Sequence, residues 1–472
     1  MNKYKLRFAP SPTGYMHLAN ARVAILNYTK SMQLKHKHGA QVQFILRIDD
    51  TDTVRSKQIY IDQIIMDLAW LEIKYDEIYY QSKRYDIYNS VVEKLKEYGV
   101  LYAAYETEEE LKKLREEQLK DGQTPRYEER LDKTGVDKGA GTDAEKKPCW
   151  RFRIGKNAVK WHDEIMGEQK FESKGLYDPI VLRGNGTITY MLASIIDDYM
   201  MDVTHIMRGR DHLTNTAIQL HMLEALNNVF GTDKKIQFAH FSLLYSIEGK
   251  KLSKRAESAN IKDFRAEGLL NVTLIRFLLN LGLAESLKYV RLKQLLLDVD
   301  MGSYNRADIR CDTDQLYTDN QKYLVEMNAA QAIEWAQSSA NGDMKYLNIG
   351  NMQVLWPMIS GEVQVVEDLY TWLDRVYGEV LLNKACVSID EEQKEFLQEF
   401  MAKYRVLLEE KDTAWERILD VLRREYVNKD RSLKICIMAF RYALTGMEHG
   451  PKMQQLFEIM DIEKIKARLI LA

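Results

Sequence analysis

The chain has 472 residues, of which 46% are hydrophobic and 29% charged, with 24 glycines and 7 prolines. That balance excludes collagen-like, low-complexity and wholly disordered architectures, and at roughly 100–200 residues per domain it predicts two to four domains. A formal net charge of −3 excludes a globally basic nucleic-acid binder, so any polyanion surface has to be a local patch.

The cysteines, Cys149, Cys311, Cys386 and Cys436, lie far apart and form no CxxC pair. Neither a zinc knuckle nor a disulfide framework is expected, which fits a reducing cytoplasm. The opening MNKYKLRFAP lacks the apolar core of a secretory signal and leaves no room for a mitochondrial presequence. No run of about 18 apolar residues predicts a membrane span.

In chain order, Tyr4, Leu6 and Phe8 alternate as a strand that ends at the breaker run Pro10-Ser11-Pro12-Thr13-Gly14. A helical pattern follows over Ala19–Met32, and Val42, Phe44, Leu46 and Ile48 alternate as a second strand. Strand, turn, helix and strand make a βαβ unit, whose crossover implies parallel pairing. Residues 56–71 and 85–98 read as amphipathic helices. A charged helix from Thr107 to Lys120 and the polar stretch GVDKGAGTDAEKKP then break the rhythm. We read 101–185 as an insertion between two halves of an α/β domain. Alternation returns at Asp178–Arg183, Thr187–Ile196 and Val203–Met207, followed by a helix over Leu213–Val229.

After Lys254 the pattern is mostly helical. Residues 323–472 contain only two prolines, Pro357 and Pro451, and read as an all-α unit. That unit carries 18 basic against 24 acidic residues, but 401–441 carries 10 against 7. A polyanion contact is therefore better placed on 401–441, although most single charges there belong to solvated helix faces.

Two constellations carry chemistry. The first, Arg7 to Asn20, joins the end of a strand to the start of a helix, where α/β folds bind phosphates. There His17 can donate to a phosphate oxygen, Pro10-Ser11-Pro12 fixes the turn, and Gly14 permits close backbone approach. A histidine alone at a helix start is usually just a polar residue. The second is Gly249-Lys250-Lys251-Leu252-Ser253-Lys254-Arg255, whose clustered cations suit a polyphosphate on which leaving-group charge develops. Alone, such a run is most often a basic surface loop.

Together they resemble the HIGH and KMSKS signatures of class I aminoacyl-tRNA synthetases, here His17-Leu18-Ala19-Asn20 and Lys251-Leu252-Ser253-Lys254-Arg255. The flanking RFAPSPTGY, RIDDTD, QSKRYDIY, YDPIVLR and VTHIMRGRDHLTNT narrow the resemblance to bacterial-type glutamyl-tRNA synthetases, densely over about residues 1–285. The resemblance implies an α/β fold. A split, doubly wound Rossmann-type catalytic domain (1–100 and 186–240) would carry an inserted acceptor-end-binding domain (101–185). A stem-contact domain with the KMSKS-like loop (241–322) and an all-α anticodon-binding domain (323–472) would follow.

It also implies the reaction. Glutamate would be activated by ATP to glutamyl-adenylate and passed to the 2′-OH of the terminal adenosine of tRNA-Glu, with Mg²⁺ held mainly by the ATP oxygens. Carried over by position, His17, Lys251 and Lys254 would be catalytic. Pro10, Ser11, Gly14, His17, Ala19, Asn20 and Lys254 would bind ATP. Arg7, Ser11, Asp49, Tyr190, Ser194 and Arg208 would bind glutamate, with Asp49 receiving the α-ammonium and Arg208 reading the γ-carboxylate. A guanidinium fork pairs with a carboxylate and not with an amide, a difference on the order of 2–4 kcal/mol in a desolvated pocket.

The chain departs from the family at Ala19, where HIGH has glycine and where a methyl would crowd ATP, and at Ser194, where some relatives have asparagine. The insertion lacks the cysteines that some relatives use for zinc, with Ala103 and Tyr105 near those positions, so no structural zinc is expected. A monomer is expected. Two alternatives stay open: a non-discriminating enzyme that also charges tRNA-Gln, and a tRNA-binding protein that has lost adenylation. His36 and His38 read as a solvated helix end, His205, His212 and His240 are each more often structural than catalytic, and Trp70, Trp150 and Trp161 read as core or domain-contact residues.

Overall fold

The computed structural model describes residues 4–106, 108–120, 147–249, 260–288, 290–339, 344–378, 391–409, 411–426 and 432–471. The chain divides into two compact units, one of residues 1–262 and 274–312, the other of 263–273 and 313–472.

In the first unit, β1 (Tyr4–Phe8), α1 (Leu18–His38) and β2 (Val42–Ile48) form the expected βαβ element, with β1 and β2 parallel from Tyr4 opposite Val42 to Phe8 opposite Leu46. All seven residues of β2 are buried, as befits a parallel strand covered on both faces. Helix α1 outruns the predicted Ala19–Met32. It stops where Gly39 takes a φ of +61°, with Lys35, His36, Lys37 and His38 in its last turn, cations that suit the negative end of the helix dipole. Helices α2 (Gln58–Trp70) and α3 (Tyr85–Glu97) flank β3 (Glu77–Tyr80).

The chain continues through β4 (Leu101–Ala104), α4 (Glu108–Lys120), β5 (Cys149–Phe152), β6 (Val159–Asp163), β7 (Gly167–Phe171) and β8 (Ile180–Leu182). It returns through α5 (Tyr190–Met200), β9 (His205–Gly209), α6 (Leu213–Phe230) and β10 (Gln237–Phe241). Seven strands form one sheet in the order β3-β2-β1-β9-β10-β6-β7, while β4, β5 and β8 form a separate three-stranded sheet. All pairs of the large sheet are parallel except the β6–β7 hairpin. Strand β1 has β2 on one side and β9 on the other, so the winding reverses beside β1. In doubly wound sheets ligands bind outside the strand carboxyl ends at that reversal.

Two expectations need correction. Thr187–Ile196 does not continue as a strand, because α5 begins at Tyr190 and every residue from Leu192 to Tyr199 is buried. A helix whose polar residues are buried with its apolar ones marks no solvent face, so short alternation misleads. And 101–185 is not wholly an insertion at the level of pairing: β6 adds to β10, with Asp163 opposite Phe238. The alternating burial of Val-Lys-Trp-His-Asp in β6 was visible in the sequence as a half-buried strand signal.

Within this unit Leu244–Tyr245 pairs in parallel with Ile309–Arg310. The described elements of the second unit are all helices. Its core holds Trp335, Trp356, Phe396, Phe400, Phe440 and Phe457, with Phe400 and Phe440 edge to face at 5.1 Å, a favoured aromatic geometry. Residues 263–273 and 313–322 belong with this helical unit rather than with the rest of 241–322. No described helix is long and apolar enough to cross a membrane.

Candidate active site

A cleft of about 610 Å³ opens at the carboxyl ends of β1 and β9. Arg7, Pro10, Ser11, His17, Ala19, Asn20, Tyr190 and Arg208 line it, with Gly209, Asp211, His212 and Leu243. The structure thus brings together eight of the residues named from the sequence. Gly14, Asp49 and Ser194 are not in the lining. Lys251 and Lys254 lie outside the described residues.

One end of the cleft is built by the loop from β1 into α1. His17 occupies the N-cap of α1 in extended conformation, its carbonyl accepting from the Ala21 amide at 3.0 Å. Ala19 and Asn20 follow in the first turn, where unpaired amides and the helix dipole favour an anion. The backbone of Asn260 bridges to His17, and the Ile261 amide donates to the Met16 carbonyl at 2.9 Å. Leu243, before the lysine-rich run, and His17, the backbone bridge partner of Asn260, both line the cleft.

At the other end, the Arg208 side chain is buried. Its NH2 donates to Thr216 Oγ1 at 2.6 Å and to Gln219 Oε1 at 2.7 Å. Its Nε and NH1 are buried and have no acceptor in full hydrogen-bond geometry among the described residues, while the Tyr190 hydroxyl is close enough to interact with the guanidinium. Burial lowers the Arg208 pKa, against the raising influence of Tyr190 and Asp198. Two underpaired buried donors on one guanidinium fit a carboxylate, since leaving them so costs stability. A Cβ at Gly209 would meet Asp211 Oδ1 at 2.6 Å, so a side chain there would displace the Asp211 carboxylate.

Ser194 acts from behind: its hydroxyl accepts from Gln219 Nε2 at 2.8 Å, and Gln219 in turn holds Arg208. Asp49 is likewise set back, because its carboxylate takes two bonds from Arg47, at 2.7 and 3.2 Å. Burial pushes the Asp49 pKa up to about 6, against the lowering effect of Arg47. Arg47 also donates to Asp198 at 2.7 Å, as does Arg7 Nε at 3.1 Å. Asp197 accepts from Gln81, Arg84 and Tyr88 at 2.9, 2.7 and 2.7 Å. Residues of the QSKRYDIY stretch thus lock α3 to α5 instead of touching the cleft. The sequence reading missed this network. Its signal was Asp197-Asp198 inside an apolar run, which in a buried helix requires counter-charges.

A doubly wound sheet with a histidine-capped helix at its reversal, and a buried arginine lining the same cleft, fits the expected layout of a class I aminoacyl-tRNA synthetase. The family model described as tRNA synthetases class I (E and Q), catalytic domain, matches residues 3–316, and one described as anticodon binding domain matches 321–472. The glutamate–tRNA ligase 2 of Gluconobacter oxydans is 35% identical over 466 residues, covering 98% of each chain. The glutamate–tRNA ligase 1 of Bartonella quintana is 34% identical over 482 residues, again covering 98% of each. A crystal structure of a glutamate tRNA ligase from Elizabethkingia meningosepticum, in complex with its amino acid, matches with a TM-score of 0.73 and 25% identity. That match covers 99% of this chain and 98% of that one. The chain belongs to the glutamate–tRNA ligase family of class I synthetases.

Proposed function

We propose that this chain ligates L-glutamate to the terminal adenosine of tRNA-Glu, using ATP, and that the cleft beside β1 is where glutamyl-adenylate forms. The observation that carries the reading is that the buried Arg208 and the helix N-terminus at His17, Ala19 and Asn20 line one cleft. Glutamate's γ-carboxylate fills the Arg208 fork, and Arg7, Ser11 and Tyr190 hold the rest of the amino acid. Asp49 contributes as the partner of Arg47, which leaves Asp211 as the one carboxylate among the described lining residues for the α-ammonium.

The triphosphate lies along the turn from Pro10 to Asn20. His17 donates to it from the helix cap, while Gly14 shapes the turn from outside the lining. Lys251 and Lys254 bring mobile cations to the β- and γ-phosphates, where charge develops as pyrophosphate leaves. The glutamate α-carboxylate attacks the α-phosphorus, and a tRNA hydroxyl then displaces AMP from the carbonyl. Positioning and electrostatics supply the catalysis, with no covalent enzyme intermediate. Asp211 is the one carboxylate among the described lining residues, so any Mg²⁺ would be held mainly by the ATP oxygens.

The catalytic domain is assigned to 1–100 and 186–240 with the β6–β7 hairpin, the acceptor-end module to the remainder of 101–185, and anticodon recognition to the helical unit. The enzyme acts as a monomer in the cytoplasm. Aminoacylation of separately purified tRNA-Glu and tRNA-Gln with labelled glutamate, tRNA present throughout, tests the assignment. Charging of tRNA-Glu alone is expected. Charging of both would make the enzyme non-discriminating, and charging of neither would reduce it to a tRNA-binding protein.

A further inference from the structure

We propose that Thr216, held by a buried His240–Asp163 pair, is the residue that orients Arg208 and thereby sets the preference for glutamate over glutamine. The inference rests on Arg208 reading the γ-carboxylate.

The chain of contacts can be followed atom by atom. Asp163 closes β6, and its Oδ1 accepts from the amides of Ile165, Met166 and His240 at 3.2, 2.9 and 3.0 Å. Its Oδ2 lies 2.5 Å from His240 Nδ1, and both side chains are wholly buried. A carboxylate can only accept here, so the His240 proton sits on Nδ1. Burial lowers the His240 pKa against the opposing pull of Asp163, and a neutral ring then offers Nε2 as an acceptor. Thr216 Oγ1 lies 2.9 Å from that nitrogen and 3.1 Å from the His212 carbonyl, so its one proton is shared between two acceptors. With its one proton committed, the hydroxyl presents lone pairs to Arg208 NH2 at 2.6 Å. Gln219 Oε1 supplies the second acceptor to the same nitrogen at 2.7 Å.

The consequence is orientation. Two acceptors on NH2 stop the guanidinium from turning, so Nε and NH1 stay underpaired until a carboxylate arrives. Without the threonine hydroxyl, NH2 keeps one acceptor, and the fork can tilt to share its protons with neutral oxygens. Glutamate then loses its advantage over glutamine, because the cost of an underpaired guanidinium is what rejects the amide. Asp163 arrives from β6, within 101–185, so the preference is set partly by residues that read from sequence as outside the catalytic domain.

The test uses the full-length enzyme with tRNA-Glu. Near-isosteric Thr216→Val is expected to raise the KM for glutamate by about tenfold, the size expected for a lost hydrogen bond to a charged group. The KM for ATP should stay within about twofold, and the ratio of kcat/KM for glutamate over glutamine should fall. Thr216→Ser should recover most of the loss. His240→Phe should shift the same parameters, and the double variant should be no worse than the poorer single one, because the residues act in series. An unchanged glutamate KM and selectivity in Thr216→Val would overturn the proposal, as would an equal rise in the KM for ATP. If His240→Phe does not fold, the two threonine variants decide. Arg208→Gln separates the premise from the inference: a wild-type selectivity ratio there removes both, whereas a changed ratio with a normal Thr216→Val removes only the inference.

Discussion

Arg7 Nε lies 3.1 Å from Asp198 Oδ1, and side-chain exposures of 5% and 1% put the pair out of reach of solvent. Arg47 shares the same carboxylate at 2.7 Å and also meets Asp49 at 2.7 Å and Asp197 at 3.8 Å, so loss of Asp198 takes the carboxylate from Arg7 while Arg47 keeps two. Burial favours the neutral acid, but Arg7 and Arg47 hold the Asp198 pKa below its ordinary value. Removing one partner of a buried ion pair strands the other, at a cost of about 3–5 kcal/mol. Asp198→Asn is therefore expected to lower unfolding free energy by at least about 3 kcal/mol, read by urea denaturation. Asp52→Asn, which breaks the exposed pair with Arg55, should cost no more than about 1 kcal/mol. Equal losses would contradict this account.

Lys254 should act on the reaction and not on the fold. Lys254→Ala is expected to lower the aminoacylation rate by at least about tenfold, with the thermal midpoint unchanged. A wild-type rate would remove it from the mechanism.

Ala19 lines the cleft on the first turn of α1. Ala19→Gly is expected to lower the KM for ATP, by removing a methyl from the nucleotide's path, and to cost up to about 1 kcal/mol of helix stability. The KM for glutamate should not move. An unchanged KM for ATP would show that the methyl is accommodated.

Acid should destabilise the protein through its buried histidines. Burial, the largest cause, with Lys30 assisting, lowers the His205 pKa to about 4. Burial likewise lowers His212 to about 4. A histidine depressed in the folded state binds fewer protons there than in the unfolded chain. Stability is then fully present above the unfolded value near 6.5 and falls as pH drops toward 4. Denaturation of wild type and His205→Gln across pH 4–7 checks this: the variant should lose less stability on acidification. Parallel curves would exclude His205.

The strand–turn–helix start, the second strand, α2, α3 and α6 were legible from the Pro10–Gly14 breaker run, the alternating apolar residues of β2 and, in α3, an apolar stripe on one buried face. So was most of the cleft lining, because Arg7 to Asn20 is contiguous and Arg208 sits at a strand end. What escaped had physical causes. Helix α5 is buried from Leu192 to Tyr199, so its polar members Ser194, Asp197 and Asp198 mark no solvent face. Asp49 and Ser194 fall one layer behind the cleft, a displacement set by Arg47 and Gln219, which only three dimensions reveal. His240 was visible as a histidine near the site, but its role depends on Asp163, 77 positions away. No local pattern joins them.

The β6–β7 hairpin has a practical corollary for anyone trimming this enzyme. Excising the whole of residues 101–185 would strip β10 of its outer neighbour and leave a raw hydrogen-bonding edge. Such an edge invites strands from other molecules. A minimal catalytic fragment therefore has to retain Val159–Phe171, and a version lacking it should precipitate before its activity can be measured.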